Sequence, residues 1–109
     1  MYEDTLFGLM DVIQKRKEEP REGSYTCYLF EKGLDKILKK CGEECAEVII
    51  AAKNGKEEET VSEICDLLYH LMVMMADQEI PLKAVMEELE ARRKKIGNLK
   101  QFHQVDHNS

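Results

Sequence analysis

The feature that most constrains this chain is the stretch "ETVSEICDLLYHLMVMMAD", residues 59–77. At about 100° of rotation per residue, a helix made from it is apolar around most of its circumference. A helix with this pattern has to be buried on most sides, so other helices must surround it. Its apolar positions are Val61, Ile64, Cys65, Leu67, Leu68, Leu71, Met72, Met74, Met75 and Ala76.

The remainder of the chain supplies helices that can give this cover. Hydrophobic residues make up 43% and charged residues 35%, with only six Gly and two Pro, which is typical of helical proteins. Apolar spacing predicts helices over residues 2–19, 25–54, 58–77 and 81–96, with a bend at Gly33 in the second. We therefore expect an all-α bundle of four to five helices. Residues 1–97 should form one domain and residues 98–109 a flexible tail.

Charge and hydropathy exclude several classes of protein. A net charge of −6 argues against a general nucleic-acid surface. No apolar run approaches the ~20 residues that span a bilayer. The first residues, "MYEDTLFGLM", lack the basic region of a signal peptide, so a cytoplasmic location is expected.

The four cysteines are expected to be free thiols, with those at 41, 45 and 65 acting as small core residues. A zinc site made from Cys41, Cys45, Cys65 and His70 is the alternative. It lacks the closely spaced Cys-x-x-Cys pairs of structural zinc motifs, so we disfavour it.

Two acidic pairs suggest a metal site. Glu44 and Glu47 lie three residues apart at the edge of one apolar stripe, and Glu63 and Asp66 lie three apart on the narrow polar strip of the next helix. If these helices pack antiparallel, the four carboxylates converge in a groove where they repel one another unless a cation joins them. Carboxylate oxygens suit Mg²⁺ or Mn²⁺. Glu43 points further round the helix.

The pattern by itself leaves other interpretations open. Acidic pairs at this spacing are common on solvated helix faces. A di-iron bundle would use Glu-x-x-His steps, which are absent here. His70, one turn after Asp66, is either a substrate contact or a buried, hydrogen-bonded histidine. Gly42 lies in mid-helix at a cost of about 1 kcal/mol relative to Ala, which indicates either a close approach or a tolerated residue.

The acidic pairs also carry a resemblance. "EECAE" followed by "EICD" matches the EExxE…ExxD signature of the all-α nucleotide pyrophosphohydrolases, the MazG-like superfamily. Residues from about 6 to 95 resemble the phosphoribosyl-ATP pyrophosphatase family of histidine biosynthesis. The most specific segments are "GSYT", the block "KKCGEECAE" and "DLLYHL". No cyclohydrolase segment is evident, so the stand-alone form is expected.

The resemblance implies Mg²⁺-dependent hydrolysis of phosphoribosyl-ATP to phosphoribosyl-AMP and pyrophosphate. By position it makes Glu44, Glu47, Glu63 and Asp66 the metal ligands, with Mn²⁺ as an alternative ion. Glu43 is then either a catalytic base or an ion-pair partner of a neighbouring lysine. Candidate substrate contacts are Lys39, Lys40, Ser24, Tyr25, Thr26, His70 and Arg92. Simple helix capping is the alternative for Ser24, and a solvated helix end for Arg92 and Arg93.

The resemblance further implies a homodimer, with higher assembly left open. The mostly apolar helix gives independent support, because about four helices offer it little cover. Ile50 also points away from the main stripe of its own helix. Two other functions are weighed: a (d)NTP pyrophosphohydrolase of different specificity, and a non-catalytic helical dimerisation module. A dimerisation module has no need of Glu63 and Asp66 on an otherwise apolar helix.

Overall fold

The computed structural model describes residues 2–96, which fold into five α-helices. They are α1 (Thr5–Glu18), α2 (Tyr25–Lys32), α3 (Leu34–Asn54), α4 (Glu57–Asp77) and α5 (Leu82–Ile96). No β-strand occurs within residues 2–96, and the predicted all-α class is confirmed. The predicted tail, 98–109, lies outside the described residues. No described helix is long and apolar enough to cross a membrane.

The expected bend at Gly33 is a complete break between two helices. Gly33 has φ +93°, a region that residues with a side chain rarely adopt. Its N–H donates to the Leu29 carbonyl and closes α2, and its carbonyl accepts from the Ile37 N–H and opens α3. The break separates α2 from α3, and α2 packs against both α3 and α4.

The core is built on a hairpin of α3 and α4, which only Gly55 and Lys56 separate, so that the two helices run antiparallel. Gly55, at φ +72°, supplies the left-handed residue that ends α3. α1 and α2 pack on the half of the hairpin far from this turn, residues 34–44 and 66–77, which we call the covered half. The buried cluster there contains Ile13, Leu29, Ile37, Cys41, Met72, Val73, Ala76 and Leu82.

Residues 45–65, which we call the uncovered half, receive no such cover. Ala51 is the only buried residue between 45 and 65. Ile49 is 64% exposed, Ile50 55% and Val61 53%. The expectation that α4 is buried on most sides therefore holds only for its second half, because α1 and α2 reach no further along the hairpin.

The cysteines divide in the same way. Cys41 is buried in the covered half, as expected, whereas Cys45 and Cys65 are exposed. The predicted core role is wrong for Cys45 and Cys65 within a single chain. α5 is anchored by Leu82, which is buried, and its residues from 87 to 95 are exposed.

Candidate active site

Three carboxylates from the two hairpin helices converge where the covered and uncovered halves meet. Single oxygens of Glu44, Glu63 and Asp66 all lie within 4.8 Å of one another. Glu44 is buried, Glu63 is half-buried and Asp66 is exposed, so the group opens to solvent on one side. Within residues 2–96 no other set of three His, Cys, Asp or Glu side chains is arranged to hold an ion. The cysteine set considered for zinc does not form one.

Glu47, the fourth predicted ligand, does not join this group within one chain. It is exposed, but it is close enough to act on Glu63. Partial burial raises the pKa of Glu63, and the charges of Glu47, Asp66 and Glu44 raise it further. A side-chain hydrogen bond with Glu44 adds to this effect. A carboxyl group that resists ionisation for these reasons is stabilised by a bound cation.

Lys40 is the cation nearest to the three carboxylates. Its Nζ lies 3.3 Å from Glu43 Oε1 and 3.6 Å from Glu44 Oε1. Burial alone would lower the pKa of Lys40, but the hydrogen bond to Glu43 and the neighbouring negative charges give a net increase. Lys40 is therefore held as an ammonium group beside the carboxylates. Glu43 is its partner, whereas Lys39 is exposed and forms no ion pair within the described residues.

His70 links α4 to the start of α2. The ring is 5% exposed, its Nδ1 lies 2.7 Å from the Asp66 carbonyl oxygen, and its Nε2 lies 2.9 Å from the Tyr25 hydroxyl. A carbonyl oxygen only accepts, so Nδ1 carries a proton and donates it. In the neutral ring Nε2 then accepts from the Tyr25 hydroxyl. His70 has the geometry of a buried, hydrogen-bonded histidine, and its predicted substrate contact stays a prediction.

An aromatic cluster that was not predicted from the sequence surrounds Tyr25. Its ring stacks with Tyr28 at 6.0 Å and with Tyr69 at 6.2 Å between centroids. Thr26 and Tyr69 share a short hydrogen bond between their hydroxyl groups. The signal for Tyr69 was its place in "DLLYHL", directly before His70. Burial raises the pKa of Tyr25, and the charges of Glu44 and Glu43 contribute to the rise while Lys40 opposes it.

The remaining residues singled out from the sequence are not part of the carboxylate group. Ser24 caps α2, accepting from the Cys27 N–H at 3.1 Å. Arg92 lies on the exposed part of α5, where its Nε bonds to Glu88 at 3.0 Å, and no described contact joins it to the carboxylates. Gly42 has no atom within 4 Å of the position that a Cβ would occupy, so within a single chain nothing approaches it closely.

The donor set fits a hard divalent cation. Oxygens that bind one Mg²⁺ at about 2.0–2.1 Å lie about 3–4 Å from each other. The 4.8 Å limit on the oxygens of Glu44, Glu63 and Asp66 is close to that spacing, and small side-chain rotations would close the difference. The set contains no sulfur or nitrogen, which favours Mg²⁺ or Mn²⁺ over zinc. With an ammonium group alongside, the arrangement suits the neutralisation of a polyphosphate.

Comparison with known proteins agrees with this geometry. Residues 6–93 match the family model described as "Phosphoribosyl-ATP pyrophosphohydrolase". A protein of Clostridium botulinum (strain Kyoto / Type A2) named "Phosphoribosyl-ATP pyrophosphatase" is 63% identical over 97 residues, covering 89% of this chain and 88% of its own. Proteins of the same name are 53% identical in Clostridium novyi (strain NT), with coverage of 89% and 88%, and 54% identical in Listeria welshimeri serovar 6b, with coverage of 93% and 97%. This chain belongs to the phosphoribosyl-ATP pyrophosphohydrolase family.

Proposed function

We propose that this chain hydrolyses phosphoribosyl-ATP to phosphoribosyl-AMP and pyrophosphate, a step of histidine biosynthesis, in the cytoplasm. The observation that carries the proposal is the convergence of Glu44, Glu63 and Asp66 beside Lys40, in a chain that matches its family over residues 6–93. The relatives at 53–63% identity carry the name of this activity. Substrate identity comes from that likeness, and the chemistry comes from the carboxylates and Lys40.

Glu44, Glu63 and Asp66 would hold Mg²⁺, or Mn²⁺ in its place, and Glu47 would complete the set after a change of side-chain rotamer. When bound, the ion neutralises phosphate charge and makes a coordinated water more acidic. A bound cation would relieve the repulsion that raises the pKa of Glu63, so that protons and the cation compete for this carboxyl group. Metal binding should therefore weaken as the pH falls.

The chain's own groups then position the polyphosphate. Lys40 Nζ donates to a phosphate oxygen while Glu43 and Glu44 fix its ammonium group in place. The oxygen of a water molecule forms a bond to the α- or the β-phosphorus, and the bridging P–O bond between these two phosphates breaks. The phosphate on the departing side keeps the electron pair of that bond, and the proton that the water loses is taken up by solvent. Preorganised charge of this kind is the main contribution of a protein to phosphoryl chemistry.

The active form is proposed to be a homodimer that covers the uncovered half of the hairpin, together with the exposed apolar face that continues from it into residues 38–42 and 68. Along α3, Leu38, Gly42, Cys45, Ile49 and Ala52 recur at intervals of three or four residues and are all exposed. Val61, Ile64, Cys65 and Leu68 form a similar exposed stripe on α4. Because Gly42 has no side chain, a second helix can approach it closely. That close approach would explain why a residue that destabilises the helix occupies this position. A second copy offers the same apolar stripes and matches them by symmetry.

The dimer is tested by the mass of the protein in solution. Ile49→Lys places a charge on the α3 stripe and should yield monomers in analytical ultracentrifugation. Val12→Lys is the matched control, because Val12 is 49% exposed on α1, away from both stripes. A wild-type monomer, or an Ile49→Lys variant that remains a dimer, would contradict the proposed interface.

The activity is tested by pyrophosphate release from phosphoribosyl-ATP beside a panel of dNTPs, with Mg²⁺ and with a chelator. Release from phosphoribosyl-ATP that requires Mg²⁺ is expected. Release from dNTPs alone would assign a different substrate. Release from none of these nucleotides would favour the non-catalytic module.

A further inference from the structure

A cavity separate from the carboxylate site lies between the end of α1 and the start of α2. Its volume is about 590 Å³, within the usual range for small-molecule sites. Tyr25 and Tyr28 line it and are 46% and 40% exposed, so their rings present apolar surface to the cavity. Arg21, Ser24 and Glu31 also line it. Planar bases pack well against aromatic surface of this kind.

Tyr25 joins this cavity to the carboxylate site. Its hydroxyl bonds to His70, whose Nδ1 bonds to the backbone of Asp66. The charges of Lys40 and Glu44 are close enough to affect the pKa of Tyr25. When the phosphates of a nucleotide lie at the carboxylates, its base can therefore extend towards the side of the cavity that Tyr25 lines.

A second cleft, of about 420 Å³, adjoins the cavity and shares Pro20 and Arg21 with it. Lys15, Arg16 and Arg21 line the cleft, with Glu19 as its one carboxylate. None of these three cations forms an ion pair within the part of the chain that the structure describes. Their neighbour Lys17, by contrast, donates to the Ala76 carbonyl at 2.7 Å. The cleft therefore offers unpaired positive charge suited to a phosphate.

We infer that this cleft binds the additional phosphate that distinguishes phosphoribosyl-ATP from ATP, with Arg16 and Arg21 as specificity-determining residues. The inference rests on the proposed function. Phosphoribosyl-ATP carries a second ribose, bearing one phosphate, on the edge of adenine away from the triphosphate ribose. The order of groups in the substrate is triphosphate, ribose, adenine, ribose and phosphate. The order in the chain is carboxylates, Tyr25, the cavity and the basic cleft.

This placement gives the cavity residues definite roles. The adenine lies along the exposed surface of Tyr25 and Tyr28, and the Glu31 carboxylate can accept from the hydroxyl groups of the second ribose. Arg16 and Arg21 pair with the terminal phosphate through charge-assisted hydrogen bonds. ATP and dNTPs have no group that reaches the cleft, so they lose this contact.

The test compares binding of phosphoribosyl-AMP and AMP by isothermal titration calorimetry in metal-free buffer. Wild-type protein should bind phosphoribosyl-AMP about tenfold or more tighter than AMP. In the double variant Arg16→Gln/Arg21→Gln this preference should fall to about one, mainly through loss of affinity for phosphoribosyl-AMP. The KM for phosphoribosyl-ATP should rise about tenfold with little change in kcat, because the contact is made equally before and during the reaction.

The double variant Lys53→Gln/Lys83→Gln removes the same charge elsewhere and should behave as wild type. Arg21→Lys should keep part of the preference, which separates loss of charge from loss of folding. A preference for phosphoribosyl-AMP that survives in Arg16→Gln/Arg21→Gln, or that is absent from wild-type protein, overturns the inference. Wild-type protein that does not hydrolyse phosphoribosyl-ATP overturns the proposed function itself. Normal hydrolysis with an unchanged KM in the double variant overturns only the phosphate site.

Discussion

The two halves of the α3–α4 hairpin both carry apolar side chains, but the surroundings of those side chains differ. In the covered half, Ile37 and Val73 have no exposed surface because α1 and α2 pack on them. In the uncovered half, Ile49 and Ile64 are 64% and 42% exposed although they are equally apolar. Hydropathy therefore indicates that a side chain will be removed from water, but not whether its own chain or a second one will do so.

The carboxylates lie where these halves meet, and this position explains their properties. Towards the covered half, Glu44 is buried and paired with Lys40. Asp66, which belongs to the same set of three carboxylates, is exposed to solvent. A site that is buried on one side and open on the other can hold a cation and still admit a polyphosphate. A partner chain on the uncovered half would deepen it.

The largest expected effect is that of Asp66→Asn, which removes a charge at the junction of the two halves. Turnover of phosphoribosyl-ATP should be abolished, because the neutral amide is a poor ligand for a hard cation. Thermal stability in metal-free buffer should rise, since repulsion with Glu63 and Glu44 is relieved. Pyrophosphate release and thermal unfolding measure the two effects. Asp35→Asn, at the exposed start of α3, is the control, and full activity in Asp66→Asn would remove Asp66 from the site.

The next largest effects are those of two Ile→Ala variants, one in each half of the hairpin, on folding stability and on dimerisation. Ile37→Ala, in the covered half, should cost about 2–5 kcal/mol of unfolding free energy without changing the dimer dissociation constant. Ile64→Ala, in the uncovered half, should weaken dimerisation about tenfold. Urea titrations and sedimentation over a roughly hundredfold range of concentration distinguish the two. Equal effects of both variants on dissociation would mean that the halves are not distinct.

A smaller effect is expected from pH, through Glu63. Its pKa in the folded chain lies above the ordinary value of 4.5, so between those two values the folded protein binds more protons than the unfolded one. Stability without metal therefore falls as the pH rises through this window. Glu63→Gln should be more stable than wild type at neutral pH, and this difference should shrink as the pH approaches 4.5. Glu58→Gln, exposed on the same helix, is the control.

Thermal unfolding across that pH range, in the presence of a chelator, measures the difference. If the difference in thermal stability between Glu63→Gln and wild type grows as the pH falls, the pKa of Glu63 is not raised in the folded protein. With Mg²⁺ present the order should reverse at neutral pH, because wild-type protein gains the free energy of metal binding.

The smallest effect concerns the thiols. Cys41, in the covered half, should resist modification by a thiol reagent in the folded protein. Cys45 and Cys65, in the uncovered half, should react quickly at low protein concentration and slowly at high concentration, as a partner covers them. Mass spectrometry of modified peptides gives the rates, with Cys41→Ala identifying any signal from Cys41. Rates for Cys45 that do not depend on concentration would argue against a dimer through this face.

The sequence located much of the site because helical geometry is local. The spacing of Glu44, Glu63 and Asp66 within each helix follows from the turn of the helix, and one short connection forces the two helices to face each other. Glu47 was predicted to be a ligand beside Glu44, but in the structure its side chain lies outside the group of three. The rotamer of an exposed side chain depends on its surroundings in the folded protein, which no local pattern encodes.

Other contacts required the folded chain. The break at Gly33 separates α2 from α3, and α2 brings Tyr25 to His70 and Thr26 to Tyr69 across more than forty residues of sequence. Side chains that far apart leave no periodic signal, so "GSYT" and "DLLYHL" were recognisable as motifs but not as partners. Arg92, a candidate substrate contact from the sequence, bonds to Glu88 on its own helix.

The sequence by itself determined the all-α class, the two acidic steps and most of the helix positions, since each depends on residues close together along the chain. Membership of the family also follows from sequence, through the match over residues 6–93. Tertiary structure decided which part of the hairpin α1 and α2 cover and which three carboxylates meet. It also placed the basic cleft next to the cavity that Tyr25 and Tyr28 line. Those outcomes depend on how whole helices pack against each other. That packing is the sum of many weak contacts, each of which depends on all the others.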